Sequence, residues 1–513
     1  MMNAVGKTTK AGMVACMVPK RQPTWQPGLE DYRQVLLEQN PWHMDARVPG
    51  VLAREVERPM GAELWRRLAM GEPRRYQLVL GPRRVGKTTC LYQTVRRLLG
   101  EGVEPHRLWW LRLDHPLLME VPLGPLVQSV LWASDASGDN PAFLFLDELA
   151  YAADWDRWLK TFYDERWAVH VAGSSSSTAV LKDRRLESGV GRWEDQYLAP
   201  YLFREYLALV DQPVDVPVAP TLAETIDASI KAKINIAGLS ESRRRFMLTG
   251  GFPELLLGSK GTYDDEESTL LQSQRILRGD AVERAVYKDI PQAFGIDNPM
   301  MLERVLYTLA GQVTGVLSPS GICQTLHGLT QPTFDRYLSY LVHAFLVFTL
   351  PNYSGSEASK QRRGRKLYFI DGAVRNAALQ RGIAPLTDMV EMGLPMENLV
   401  AGHLHALSQQ SQVRLYHWRE GNDEVGLIYD HPEAPLAFEI GSSLRHGRGS
   451  FRKFIERFPR FRGRCFLVVP HVVSTRPAEN SDEVGTLPLD LLLLVISAQA
   501  ENESAIRFAS NTS

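Results

Sequence analysis

The chain has 513 residues, of which 44% are hydrophobic and 23% charged, and a formal net charge of −1. That length exceeds what one hydrophobic core supports and predicts about three domains of ordinary globular composition, excluding a fibrous or wholly disordered chain. A charge so near zero excludes global attraction to nucleic acid or anionic membrane, so any such contact has to come from a local patch. No run of eighteen apolar residues occurs, which excludes a predicted membrane-spanning helix. Cys16, Cys90, Cys323 and Cys465 stand too far apart for metal-ligand spacing or a disulfide framework, as expected in a reducing, cytoplasmic setting.

Residues 1–25 read as a disordered leader, because the apolar run over 11–18 is short and gives way to Pro19-Lys20-Arg21. Gly6-Lys7-Thr8-Thr9 within it has no glycine five positions earlier and no strand before it, so it reads as tail. Helical patterns over 29–70 lead to YQLVLGPRRVGKTT at residues 76–89, the stretch with the clearest chemistry. A short apolar strand over 77–80 runs into Gly81-Pro82-Arg83-Arg84-Val85-Gly86-Lys87-Thr88-Thr89, and a helix is predicted over 89–99. This is G-x-x-x-x-G-K-T between a strand and a helix. Its glycines let backbone N–H groups turn towards phosphate oxygens, Lys87 reaches the β- and γ-phosphates, and the Thr88 hydroxyl ligates Mg²⁺. ATP and Mg²⁺ are therefore the expected ligands.

A second buried strand is predicted over 108–113, and then PAFLFLDE at 141–148 reads as a strand delivering two carboxylates at its end. Asp147 would hold Mg²⁺ through water and Glu148 would act as general base towards the attacking water. A further strand over 169–172 precedes Gly173-Ser174-Ser175-Ser176-Ser177. Ser174 is the candidate for a polar group between the two motifs that senses the γ-phosphate; the other reading is a flexible serine loop. Strands alternating with helices at these lengths predict an α/β fold with a parallel sheet covered on both faces.

The segments DELAYAADWDRWLKTFYDERWAVHVAGSSSS, GRWEDQYLAPYLFREYLAL and LTGGFPELL resemble prokaryotic AAA-type ATPases with an AAA-14 domain, akin to archaeal ATPases, that usually end in a DUF4143 domain. The matching features are Trp158-Leu159-Lys160, Gly191-Arg192, Pro200 with Phe203-Arg204-Glu205-Tyr206, and Gly250-Gly251-Phe252-Pro253-Glu254. The resemblance implies a P-loop ATPase domain over 26–212, a helical lid and winged-helix region over 223–352, a restriction-endonuclease-like domain over 366–498, and a flexible tail over 499–513. It also makes Arg192 the arginine-finger candidate, acting in its own or a neighbouring subunit; the alternative is a surface arginine paired with Glu187 or Glu194.

In the winged-helix region a helix opening at Gln331-Pro332-Thr333 would offer Gln331, Thr333 and Arg336 to a DNA groove, or else pack between domains. Arg362, Arg363, Arg365 and Lys366 close a polar loop and read as its solvated tip. In the last domain Glu397 and Glu439 stand where a nuclease of the resembled type has carboxylates, but Gly426 and Gly441 replace its Asp and Lys, so the domain is expected to be degenerate and non-catalytic. Arg445, Arg448, Arg452, Lys453, Arg457, Arg460, Arg462 and Arg464 either follow a phosphate backbone or simply solvate a helix face.

The expectation is a Mg²⁺-dependent ATPase whose turnover moves its C-terminal half. The competing readings are a nucleotide-gated DNA-binding module with little turnover, a DNA nuclease, and a subunit acting through a protein partner. Oligomeric state stays open at this point.

Overall fold

The computed structural model describes residues 29–70, 75–176, 191–258, 266–354, 364–384, 393–441, 448–470 and 484–509. The leader expected over 1–25 lies outside them, as do Glu187, Arg362, Arg363 and Arg445. Among the described residues no helix is long and apolar enough to cross a membrane.

Five parallel strands form the first sheet: β1 (Tyr76–Leu80), β2 (Leu108–Arg112), β3 (Ala142–Asp147), β4 (Val169–Ser175) and β5 (Trp193–Tyr197), in the order β2-β3-β4-β1-β5. β1 and β3 are buried along their whole length, as expected for strands covered on both faces. Alternation divides their side chains. Val79 and Phe145 face one core with Leu91 and Val95 of the Lys87–Gly100 helix. Leu78, Leu80, Leu144 and Leu146 face the other with Leu126 of the Leu123–Ala133 helix and Leu159 of the Trp155–Asp164 helix. β4 runs further than its apolar letters suggest, because β1 continues beside it and pairs Val79 with Ser174 and Leu80 with Ser175. Ser174 is thus strand, 1% exposed, and not part of a free serine loop.

Later helices are shared between two cores, so the unit expected over 223–352 is split. The Leu222–Ala232 and Leu239–Thr249 helices pack with the C-terminal sheet, whereas Leu277, Val286, Leu306 and Phe334 join the core of the ATPase sheet. The Pro299–Gly311, Pro319–Thr325 and Gln331–His343 helices each begin with proline at the first turn and an Asn, Ser or Thr cap, namely Asn298, Ser318 and Thr330. An antiparallel pair follows, β6 (Val347–Leu350) with β7 (Lys366–Phe369).

The second sheet is mixed: β8 (Leu415–Glu420), β9 (Asp423–Tyr429), β10 (Leu436–Ile440), β11 (Cys465–Val469) and β12 (Gly485–Pro488), in the order β12-β11-β10-β9-β8. The Gly393–Ser411 helix packs on it together with the Leu489–Ala509 helix. The flexible tail expected from 499 is corrected here. The last helix continues to Ala509, and residues 510–513 lie outside the described residues. Gln499 is fully buried and accepts from Thr225 Oγ1 at 2.7 Å.

Candidate active site

β1, β3 and β4 end side by side, which brings the phosphate loop, the Asp147-Glu148 pair and Ser174 to one edge of the sheet. Gly81 is required by close approach: a Cβ there would lie 2.2 Å from the Leu198 carbonyl oxygen. Gly86 has φ +95°, a conformation that side chains resist, and it turns the loop into the helix beginning at Lys87.

Asp147 lies at the centre of a hydrogen-bonded chain. Thr88 Oγ1 is 3.2 Å from both of its carboxylate oxygens, and Ser174 Oγ donates to its Oδ1 at 2.5 Å. The same Ser174 oxygen accepts the Glu148 N–H at 3.1 Å, so the serine fixes both acidic residues. Glu148 adopts φ 53° and carries its carboxylate out of the strand line, where Ser176 Oγ donates to it at 3.3 Å. Burial, then the neighbouring charge of Glu148, pushes the Asp147 carboxyl up to about 6. Lys87 Nζ donates to the carbonyl oxygens of Gly81 (2.9 Å) and Pro82 (2.7 Å), and burial pulls its ammonium down to about 8. Val85 is buried under the loop, and Thr89 lines the cavity beside it.

That cavity has a volume of about 450 Å³ and is lined by six basic side chains, Arg54, Arg58, Arg83, Arg84, Lys87 and Arg284, against Glu148, Glu254 and Asp280. Sequence reasoning missed Arg58, Arg284 and the carboxylates that face the loop. Arg58 forms an ion pair with Glu205 (3.0 Å) and donates to the Ala199 carbonyl oxygen at 2.8 Å, bracing the loop from behind. Arg83 pairs with Asp289, and Arg84 with Glu254 and Asp280. Glu254 belongs to the Gly250–Glu254 motif noted in the sequence, whereas no local pattern marks Asp280 or Asp289, and all three come from helices far along the chain.

Arg192 is not brought to this edge. β5 runs parallel to β1 with Trp193 opposite Tyr76, so Arg192 lies just before the start of β1, about 20 Å of strand away from the loop. Its guanidinium donates to Asp164 at 2.7 and 3.0 Å; Glu187, one of the partners expected for a surface arginine, lies outside the described residues. The expectation of a finger within its own subunit is therefore corrected by strand direction.

The C-terminal constellation has a different occupant from the one sought. Lys366 of β7, its side chain only 3% exposed, places Nζ 2.8 Å from Glu397 and 2.5 Å from Glu424. It is no solvated loop tip. The Tyr368 hydroxyl donates to Glu397 at 2.7 Å, and the Gly426 N–H donates to Glu439 at 2.8 Å. Gly441 uses its N–H on the Val468 carbonyl oxygen at 3.0 Å. Three members of the basic run nearby are paired across the sheet: Lys453 meets Asp423 (2.5 Å), Arg457 meets Glu420 (2.5 Å) and Arg460 meets Asp430 (3.1 Å).

Residues 73–207 match the family model described as AAA domain. Residues 240–383 match a domain of unknown function, DUF8612, and this replaces the DUF4143 assignment expected from the resemblance. An uncharacterised protein of Methanocaldococcus jannaschii is 25% identical over 400 residues, covering 75% of this chain and 79% of its own. An uncharacterised protein of Haemophilus influenzae is 19% identical over 389 residues, covering 74% and 88%. Among solved structures, the Walker-type ATPase of Pyrococcus abyssi has a TM-score of 0.41 at 13% identity, covering 64% of this chain and 97% of that one. The RuvB Holliday junction branch migration motor of Thermotoga maritima has a TM-score of 0.25 at 18% identity, covering 57% and 87%.

Proposed function

We propose, from the premise that the chain is an ATPase whose AAA domain spans residues 73–207, that it hydrolyses ATP in a Mg²⁺-dependent reaction and passes the resulting motion to its C-terminal half. The observation that carries this is the hydrogen-bonded chain Thr88–Asp147–Ser174–Glu148 beside Lys87 in one cationic cavity.

Thr88 and Asp147 offer adjacent hard oxygen atoms, a donor set that fits Mg²⁺. When bound, the ion neutralises charge on the β- and γ-phosphate oxygens. Lys87 leaves the carbonyls of Gly81 and Pro82 for the phosphates, and the N–H groups of Arg83, Arg84, Val85 and Gly86 cradle them. Glu148 takes a proton from the attacking water, whose oxygen bonds to the γ-phosphorus as the bond to the β-bridging oxygen breaks. Ser174 holds Glu148 and Asp147 in register for that step.

Two features support transmission of the motion. Arg83 and Arg84 reach from the phosphate loop to carboxylates within the DUF8612 segment. Gly251, whose carbonyl oxygen accepts the Tyr201 N–H at 2.7 Å, donates its own N–H to Asp371 at 2.8 Å, at the cap of the Gly372–Leu379 helix. The Glu397–Lys366–Glu424 ion pairs support a C-terminal domain that carries force or contacts rather than one that cleaves. Duplex DNA is the proposed contact of the Gln331–His343 helix. It follows a short capped helix and precedes a two-stranded pair, a layout that suits a winged helix-turn-helix, with Gln331 and Arg336 exposed.

The test is phosphate release from ATP with and without Mg²⁺ and duplex DNA. Wild type should turn over only with Mg²⁺ and be stimulated by DNA, and Lys87→Ala should be inactive. Turnover that survives loss of Lys87 would remove the assignment, and indifference to DNA would remove the groove contact.

A further inference from the structure

We propose that Arg83 is the chain's own arginine for the transferring phosphoryl group, and that Asp289 holds it in reserve until a nucleoside triphosphate takes the carboxylate's place. This rests on the hydrolysis reading above and adds a residue, a competitor and a switch to it.

Arg83 lies inside the phosphate loop, and its Nη1 is 3.9 Å from Glu148 Oε1, beside the position of the water that Glu148 would activate. The guanidinium gives its Nε and Nη2 to the two carboxylate oxygens of Asp289, with Nη2 2.5 Å from Oδ1. A two-point fork onto two oxygens is what a phosphate group also accepts, so a γ-phosphate can take over the same donors. Arg84 gives one nitrogen each to Glu254 and Asp280, and Arg83 is the loop arginine in ionic contact with Glu148, which makes it the arginine next to the chemistry. Arg192, at the far edge of the sheet, does not compete for this role within the subunit.

The segment bearing the competitors is wound to present them. Residues Arg278–Glu283 and Ala285–Asp289 form a π-helix, seen where the Arg284 N–H reaches back five residues to the Gly279 carbonyl oxygen. An α-helix turns about 100° per residue, so residues nine apart would fall on opposite sides. The wider winding puts both Asp280 and Asp289 against the loop arginines. Such windings are uncommon and concentrate at functional sites. Arg284 from the same segment lines the cavity with its Nε buried and without a hydrogen-bond partner, a donor also available to an incoming phosphate.

A triphosphate entering the cavity draws Arg83 from Asp289 and from Glu148. Glu148 is then free to take the proton of the attacking water while Arg83 offsets charge on the γ-phosphoryl as it passes to the water oxygen. Asp289, without its partner, no longer ties the π-wound segment to the phosphate loop. Loss of the γ-phosphate returns Arg83 to Asp289.

The experiment compares wild type with Arg83→Ala, Arg83→Lys and Asp289→Asn, each checked for folding by circular dichroism. Two quantities are read: kcat for ATP, and the affinity for ADP against that for a slowly hydrolysed triphosphate analogue. Arg83→Ala should lower kcat about 100-fold and abolish the preference for the triphosphate while leaving ADP affinity within about threefold. Arg83→Lys, which keeps the charge without the fork, should lie between. Asp289→Asn should tighten the triphosphate several-fold with little effect on ADP, because it removes the competitor. The assignment is overturned by an Arg83→Ala variant that keeps wild-type kcat, or by an Asp289→Asn variant that weakens both nucleotides alike. If wild type released no phosphate, the hydrolysis reading would fail, and the triphosphate-to-diphosphate preference would still decide the role of Arg83 in binding.

Discussion

Replacing Lys366 by methionine tests the electrostatics of the C-terminal domain. The ammonium, buried at 3% exposure, is bonded to Glu397 and Glu424, whose side chains are 16% and 31% exposed. Glu439 is the third carboxylate of the group, and burial followed by the charge of Glu397 pushes it up to about 7. Removing one partner of a buried ion pair costs about 3–5 kcal/mol, and the partial solvation of both glutamates places this case near 3. For a unit of this size that corresponds to a fall of about 6–12 °C in the melting transition. The nearby carboxylates hold the Lys366 ammonium above its ordinary range, so its own contribution is constant below about pH 10. Any pH dependence of the loss then reports the carboxylates. Glu439 in the folded protein binds its proton more tightly than in the unfolded chain, so its ionisation costs stability increasingly as pH rises towards 7. Without Lys366 that cost grows, and the deficit of the variant should be larger at about pH 8 than at about pH 5.5. Scanning calorimetry of both proteins at the two pH values measures it. A deficit below about 2 °C, or one equal at both pH values, would refute the reasoning.

Three further outcomes are expected. Ser174→Ala removes the group that joins Asp147 to the Glu148 N–H, and kcat should fall at least about tenfold with ATP affinity nearly kept, read by steady-state kinetics beside nucleotide titration. The pH profile of kcat/KM should be bell-shaped: the acid limb lies near 6, where Asp147 takes up a proton and loses its affinity for Mg²⁺, and the alkaline limb near 8, where Lys87 loses its charge. Arg192→Ala should leave the isolated subunit's nucleotide affinity unchanged. If the residue acts across an oligomer, mixing Arg192→Ala with inactive Lys87→Ala should restore turnover, and additive activities would exclude that role.

What was legible in the sequence was local. The loop 81–89, the strand ending in Asp147-Glu148 and the Ser174 position are each written in adjacent letters, because a strand feeding a glycine turn fixes its own geometry. What was not legible depends on residues brought together by the fold. Arg83 and Asp289 are 206 positions apart, and nothing near either announces the other. Lys366 read as a loop tip because its sequence neighbours are arginines, whereas its spatial neighbours are Glu397 and Glu424. The basic run over 445–464 left a phosphate track and a solvated helix face both open, and the carboxylates that meet three of its members, Asp423, Glu420 and Asp430, come from other parts of the sequence. Arg192 matched a motif by order along the chain, yet strand direction, which order does not encode, placed it at the opposite edge. The segment from 499 read as a frayed tail because its letters are polar, and its Gln499 and Glu501 are held by Thr225 and Arg204 from another part of the fold.

The most direct test of the central claim is a paired measurement on Glu148→Gln, of ATP affinity by titration and of phosphate release over a single turnover. The variant keeps the size of Glu148 and its backbone bond to Ser174 but cannot take the proton. It should bind ATP within about threefold of wild type and release phosphate at least about 100-fold more slowly. Equal rates of release from the two proteins would contradict the account, because the water would then be activated by some group other than Glu148.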